Sequence, residues 1–170
     1  MKRPVLLLFA VLLTLTFADS ALAKFKPQMQ LRFDLLLSNA QVVPPLGTYS
    51  EMSGEAIIAF DWAMRSAQVY MKIRNNFSGV TAIHLHLGEA GAGDGVNDIV
   101  VIVEDLAADP VLDKSFTVLE LFSNQRVLPV DSVNNIVSLY QAVRDGRVYF
   151  DVHSVDFPDS EIRGQIFPVL

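Results

Sequence analysis

Apolar and polar residues alternate with a period of two along much of the chain, and this limits the accessible folds more than any other feature. Ala67, Val69, Met71 and Ile73 alternate with Gln68, Tyr70, Lys72 and Arg74, the pattern of a strand with one buried and one wet face. Leu31, Phe33, Leu35 and Leu37 repeat it. Further strands are read at 54–60, 80–87, 99–103, 115–122, 148–153 and 162–167, divided by turn clusters such as Pro44-Pro45 with Gly47, Asn75-Asn76 and Ser78-Gly79. One segment breaks the period. Val133, Ile136, Val137, Tyr140 and Val143 recur at helical spacing after a cap expected at Asp131 or Ser132, and Asp145-Gly146 would end that helix. Short strands plus one helix predict a mainly β fold: an antiparallel, Greek-key-like β-sandwich or barrel with one helical insertion at about 131–145.

The first residues follow another logic. Lys2 and Arg3 precede an apolar run from Val5 to Phe17, and Ala21-Leu22-Ala23 closes it. Basic start, short apolar stretch and Ala-x-Ala site read as a secretory signal peptide over 1–23, leaving a single domain over 24–170. The expected product is exported, periplasmic or extracellular, with no stable membrane anchor after cleavage.

Export leaves the chemistry to be found, and composition narrows it. The chain has no cysteine, which removes disulfides, thiolate metal sites and thiol nucleophiles. Its formal net charge of −6 argues against nucleic acid as a partner, because gripping a phosphate backbone needs clustered Lys and Arg.

The three histidines are the most informative residues. His84 and His86 are two apart in Ala82-Ile83-His84-Leu85-His86-Leu87, and His153 ends Tyr149-Phe150-Asp151-Val152-His153. On a strand, residues two apart point the same way with α-carbons roughly 7 Å apart, so two imidazoles can converge on one ion. Ile83, Leu85 and Leu87 would take the core face of one strand and Val148, Phe150 and Val152 that of the other. If the two strands are neighbours, three imidazoles with Asp151 or Tyr149 surround one point, a set suited to copper or zinc. The alternative is that each histidine only hydrogen-bonds a loop.

Other motifs carry less. The run Gly88-Glu89-Ala90-Gly91-Ala92-Gly93-Asp94-Gly95 is glycine-rich but acidic and leads into a strand, so it does not suit phosphate. Asp94, Asn97 and Asp98 offer oxygen ligands for calcium, but their spacing matches no EF-hand. Ser154 has no nucleophile-elbow sequence around it. Glu161 and Arg163 share a strand face. They are expected as a surface or rim ion pair, with support for a histidine or a substrate-attracting charge as the functional alternative.

Four ordered segments resemble the chordin (CHRD) domain: Leu37-Ser38-Asn39-Ala40-Gln41-Val42-Val43-Pro44-Pro45, then Val80-Thr81-Ala82-Ile83-His84-Leu85-His86, then Gly146-Arg147-Val148-Tyr149-Phe150-Asp151-Val152-His153-Ser154, then Glu161-Ile162-Arg163-Gly164-Gln165. The resemblance runs from about Leu31 to Leu170. It implies a β-rich extracytoplasmic module, as in secreted bacterial proteins and the growth-factor-binding animal protein chordin, rather than a defined reaction. Ile83, Ser154 and Ser160 depart mildly from the family pattern, where alanine, threonine and glycine are usual.

At the level of the site, His84, His86, His153 and Arg163 are also similar in placement to residues of the copper–zinc superoxide dismutases. With three histidines and no cysteine, a binuclear copper–zinc site is excluded. The expectation is a protein that binds copper ahead of zinc through His84, His86 and His153, with Tyr149, Asp151, Glu161 and Arg163 as supporting residues. Its role would be metal holding, delivery or fold stabilisation, and the balance leans against an enzyme. The alternatives are a metal-free extracytoplasmic protein-interaction module whose histidines are structural, and a copper-only dismutase-like enzyme.

Overall fold

The computed structural model describes residues 29–91, 93 and 98–167, so the signal-peptide reading of 1–23 lies outside the described residues. Among the described residues eight strands appear in the order of the sequence: β1 (Met29–Ser38), β2 (Ser53–Asp61), β3 (Ser66–Arg74), β4 (Val80–Leu87), β5 (Ile99–Asp105), β6 (Ser115–Ser123), β7 (Val148–Ser154) and β8 (Ile162–Gln165), with one α-helix, α1 (Ile136–Arg144), between β6 and β7. They form one sheet in the order β5-β4-β7-β8-β1-β2-β3-β6, and every neighbouring pair is antiparallel. Because β3 neighbours β6 and β4 neighbours β7, the β3–β4 and β6–β7 connections must cross between the two halves of the sheet, which is the Greek-key habit.

The sheet curls into a nearly closed barrel because the apolar half of each alternation has to share one core. Leu37, Ile58, Met71, Leu85, Phe150 and Ile162, drawn from six strands, are all buried in a single cluster. The seam between β5 and β6 is bridged by the segment after β6. Leu128 N donates to Val100 O at 2.8 Å, and Arg126 Nη2 donates to Ile102 O at 3.2 Å. On the other side, β8 can approach β1 only through a glycine. A Cβ on Gly164 would lie 2.8 Å from Leu36 O and 2.8 Å from Leu35 Cδ1.

The helical insertion is real, and its cap is not where the sequence suggested. Asp131 and Ser132 form a turn, with Asp131 at φ 49° and Val130 bridged to Val133. Asn135 is the N-cap instead. Its side chain accepts from Ser138 N at 2.9 Å while Ser138 Oγ accepts from Asn135 N at 3.1 Å, a reciprocal capping box. Tertiary packing decided this start, since the bridge holds Val133 in the core before the helix begins. The end is as expected. Gly146 takes φ 71°, its N–H reaches Val143 O, and Arg147 N–H reaches Ala142 O, which satisfies the last carbonyls. Tyr140 then packs edge-on against Phe33 and Phe60, fixing α1 beside the start of β1 and the end of β2.

Candidate metal centre

Strands β4 and β7 are paired, with His84 opposite Asp151, His86 opposite Tyr149, and His153 opposite Ala82. Ile83, Leu85, Phe150 and Val152 turn inward to the core. Alternation therefore puts His84, His86, Tyr149, Asp151 and His153 on the outer face of the same two strands. This face is not wet. His86, Tyr149, Asp151, Arg163 and Gln165 are all buried, because the loops around them fold back over the sheet. Gln165 N donates to Gln41 Oε1, Gln165 Nε2 donates to the carbonyls of Gly88, Gly146 and Val148, and Arg163 Nη2 reaches Glu89 O.

His84 Nδ1 lies 3.1 Å from His153 Nε2. One ligand atom from each of the three histidines falls within 4.8 Å of the others. Two nitrogens on one tetrahedral ion, with bonds of about 2.0–2.1 Å, stand about 3.3 Å apart. The His84–His153 pair already has that spacing, and His86 needs a shift of about an ångström or two toward them. The donor set fits a transition metal in protonation as well as position. Burial first, then the neighbouring His153, lower the pKa of His84 to about 4, with Asp105 pulling weakly the other way. Its imidazole is therefore neutral at neutral pH, as a ligand must be. His153 Nδ1 lies 2.9 Å from Pro158 O. The carbonyl can only accept, so the proton belongs on Nδ1 and the Nε2 lone pair is left to face His84.

Asp151 is the electrostatic centre of the cluster. Its Oδ1 accepts from Ser160 Oγ at 2.5 Å, and its Oδ2 lies 3.6 Å from His153 Nε2 and 4.0 Å from His86 Nε2. Fully buried, this side chain stands close enough to two of the imidazoles to serve as a fourth donor and could balance part of the charge of a cation held there. Tyr149 stacks on His86, with ring centroids 5.0 Å apart and planes 9° apart. The guanidinium of Arg163 lies 3.6 Å from the centroid of the same ring. Since β7 lies between β4 and β8, Tyr149 separates His86 from Arg163.

The expected surface ion pair of Glu161 and Arg163 does not form. Both are 1% exposed, and burial aims them at different partners: Arg163 at the Tyr149 ring, Glu161 at the hydroxyls of Ser50 and Ser78. Neither lines the cleft over the histidines. That cleft, of about 700 Å³, has His84, His86, His153 and Asp151 at its floor, while the 42–46 stretch and Ile99 supply an apolar wall; among the described residues no Lys or Arg lines it. Ser160 and Pro158 are working parts of the site that sequence reasoning missed. Ser160 registered only as a departure from a family pattern, and a backbone carbonyl leaves no signal in a sequence.

A family model for the CHRD domain matches residues 33–166. No curated protein and no solved structure matches the chain.

Proposed function

Because the chain belongs to the CHRD-domain family, we propose that it is an exported, extracytoplasmic module that holds a transition metal ion, copper ahead of zinc, at His84, His86 and His153. The observation that carries this reading is the convergence of three histidines from two paired strands, with His84 and His153 nitrogens 3.1 Å apart. Imidazole donors favour copper over zinc in the general order of affinities. Asp151 compensates the ion's charge, Pro158 O fixes the His153 tautomer, and the Tyr149 ring orients His86. A bound ion would supply a Lewis-acid or redox centre open to the apolar-walled cleft. The residues around that cleft favour holding or delivering metal over turning over an anion. Arg163 is buried behind Tyr149, away from the cleft, and among the described residues no Lys or Arg on the cleft wall would draw an anion in. Among the described residues, no helix is long and apolar enough to cross a membrane.

The test is metal content of the purified protein and melting with and without added Cu²⁺ or Zn²⁺. At a hundredfold excess over Kd, binding to the folded state adds about 2.7 kcal/mol, roughly 5–10 °C in Tm. No shift with either ion would sink the metal reading and favour a metal-free interaction module, which the direct His84–His153 contact also accommodates. Efficient superoxide dismutation by the copper-loaded protein would overturn the non-enzyme reading.

A further inference from the structure

We infer that a second cleft, floored by Glu161 and independent of the histidine cluster, binds a primary ammonium group. The cleft has a volume of about 410 Å³ and is formed by the β1–β2 connection, the β3–β4 connection and the residues after β7. Glu161 is 1% exposed. Its Oε1 accepts from Ser50 Oγ at 2.5 Å and from Ser78 Oγ at 3.1 Å. Its Oε2 is also buried and has no hydrogen-bond partner among the described residues, and no Lys, Arg or His there pairs with it. A carboxylate withdrawn from water without a counter-charge is costly, and a cation that reaches it through the cleft would remove that cost.

The rim has the matching chemistry. Tyr49 is 81% exposed and Phe77 59% exposed, and Phe157 completes an aromatic surround. Exposed rings of this kind attract cations through their faces. Phe77 already does so, with Lys114 Nζ 5.6 Å from its ring centroid. Glu51 and Asp156 add negative charge, and among the described residues no Lys or Arg lines the cleft.

Geometry then selects among cations. A divalent ion would want further carboxylates close by, and among the described residues only the three histidines form a ligand cluster. A guanidinium binds best through a fork onto two carboxylate oxygens, but Oε1 is already taken by two hydroxyls. A quaternary ammonium has no N–H for Oε2. A primary ammonium is a compact donor that needs one oxygen, and its alkyl stem can lie against the rings.

The experiment is an amide-shift titration of the full chain with n-butylammonium, with 1-butanol and tetramethylammonium as controls. Butylammonium should give saturable shifts at residues 48–51 and 77–78, and both controls should bind at least about tenfold more weakly. Glu161→Gln, checked for an unchanged fold by its spectrum, should weaken butylammonium at least about tenfold. Should that variant not fold, Phe77→Ala, at an exposed position, should still weaken binding several-fold. Comparing an N-acetyl-lysine amide with butane-1,4-diamine assigns the source, a lysine side chain of a protein or a free polyamine, by which of the two binds more tightly. No saturable shift with butylammonium, equal binding of butanol, or unchanged affinity in both variants overturns the inference. None of these outcomes depends on whether the histidines hold a metal.

Discussion

His84 Nδ1 and His153 Nε2 face each other at 3.1 Å across two paired strands, while the far nitrogen of His153 is held by Pro158 O at 2.9 Å. In the metal-free protein this contact is a hydrogen bond donated by His84, because Pro158 already takes the His153 proton. Metal binding would replace that shared proton with the ion.

His84→Ala and His153→Ala should each weaken copper and zinc binding by more than the roughly 10–100-fold loss usual for a supporting residue. Arg163→Ala should leave metal affinity largely intact, because Tyr149 separates it from His86. Calorimetric titration with each ion checks both. Unchanged copper affinity in His84→Ala would remove the site.

The pKa of His84, lowered to about 4 from 6.5 chiefly by burial, sets a pH dependence for the metal-free protein. The unfolded chain takes up a proton at His84 as pH falls through 6.5, and the folded protein resists until about 4. Stability from this group is complete above the higher value and is lost as pH falls toward the lower one. Denaturant unfolding with a chelator present should show a shallower loss across that window for His84→Gln than for the unsubstituted chain. Equal losses would count against the burial of a neutral imidazole.

Gly164→Ala should be destabilising by roughly 1–3 kcal/mol or more, since its Cβ would press on Leu36 O at 2.8 Å where β8 meets β1. Gly47→Ala, with open space around the added carbon, should change Tm little. Thermal melting of the two variants gives the contrast, and similar midpoints would show that β8 can move away from β1 at little cost.

Exported protein should begin at Lys24, following the Ala-x-Ala site. Intact-mass measurement decides it, and a product that retains 1–23 would refute the cleavage.

The sequence by itself determined the strands, because alternation with a period of two is a local property: each apolar residue at i and i+2 commits the backbone to one core face. It also determined that His84 and His86 share one face of their strand, and that Tyr149, Asp151 and His153 share one face of theirs, for the same reason. Whether β4 and β7 are neighbours was a different matter. It depends on a pairing between segments about 70 residues apart in the chain, which no local pattern encodes. Nor could alternation say whether the polar face would be wet. Glu161 and Arg163 read as a surface pair, and only the loops that fold over the outer sheet bury them and turn them to Ser50 and Tyr149. The same long-range packing placed Pro158 and Ser160 on His153 and Asp151, and bridged Val130 to Val133 so that the helix starts at Ile136 under an Asn135 cap. Local chemistry chose the elements and their faces. Tertiary structure decided which faces meet and which charges lose their water, because those free energies belong to pairs of segments and not to either one alone.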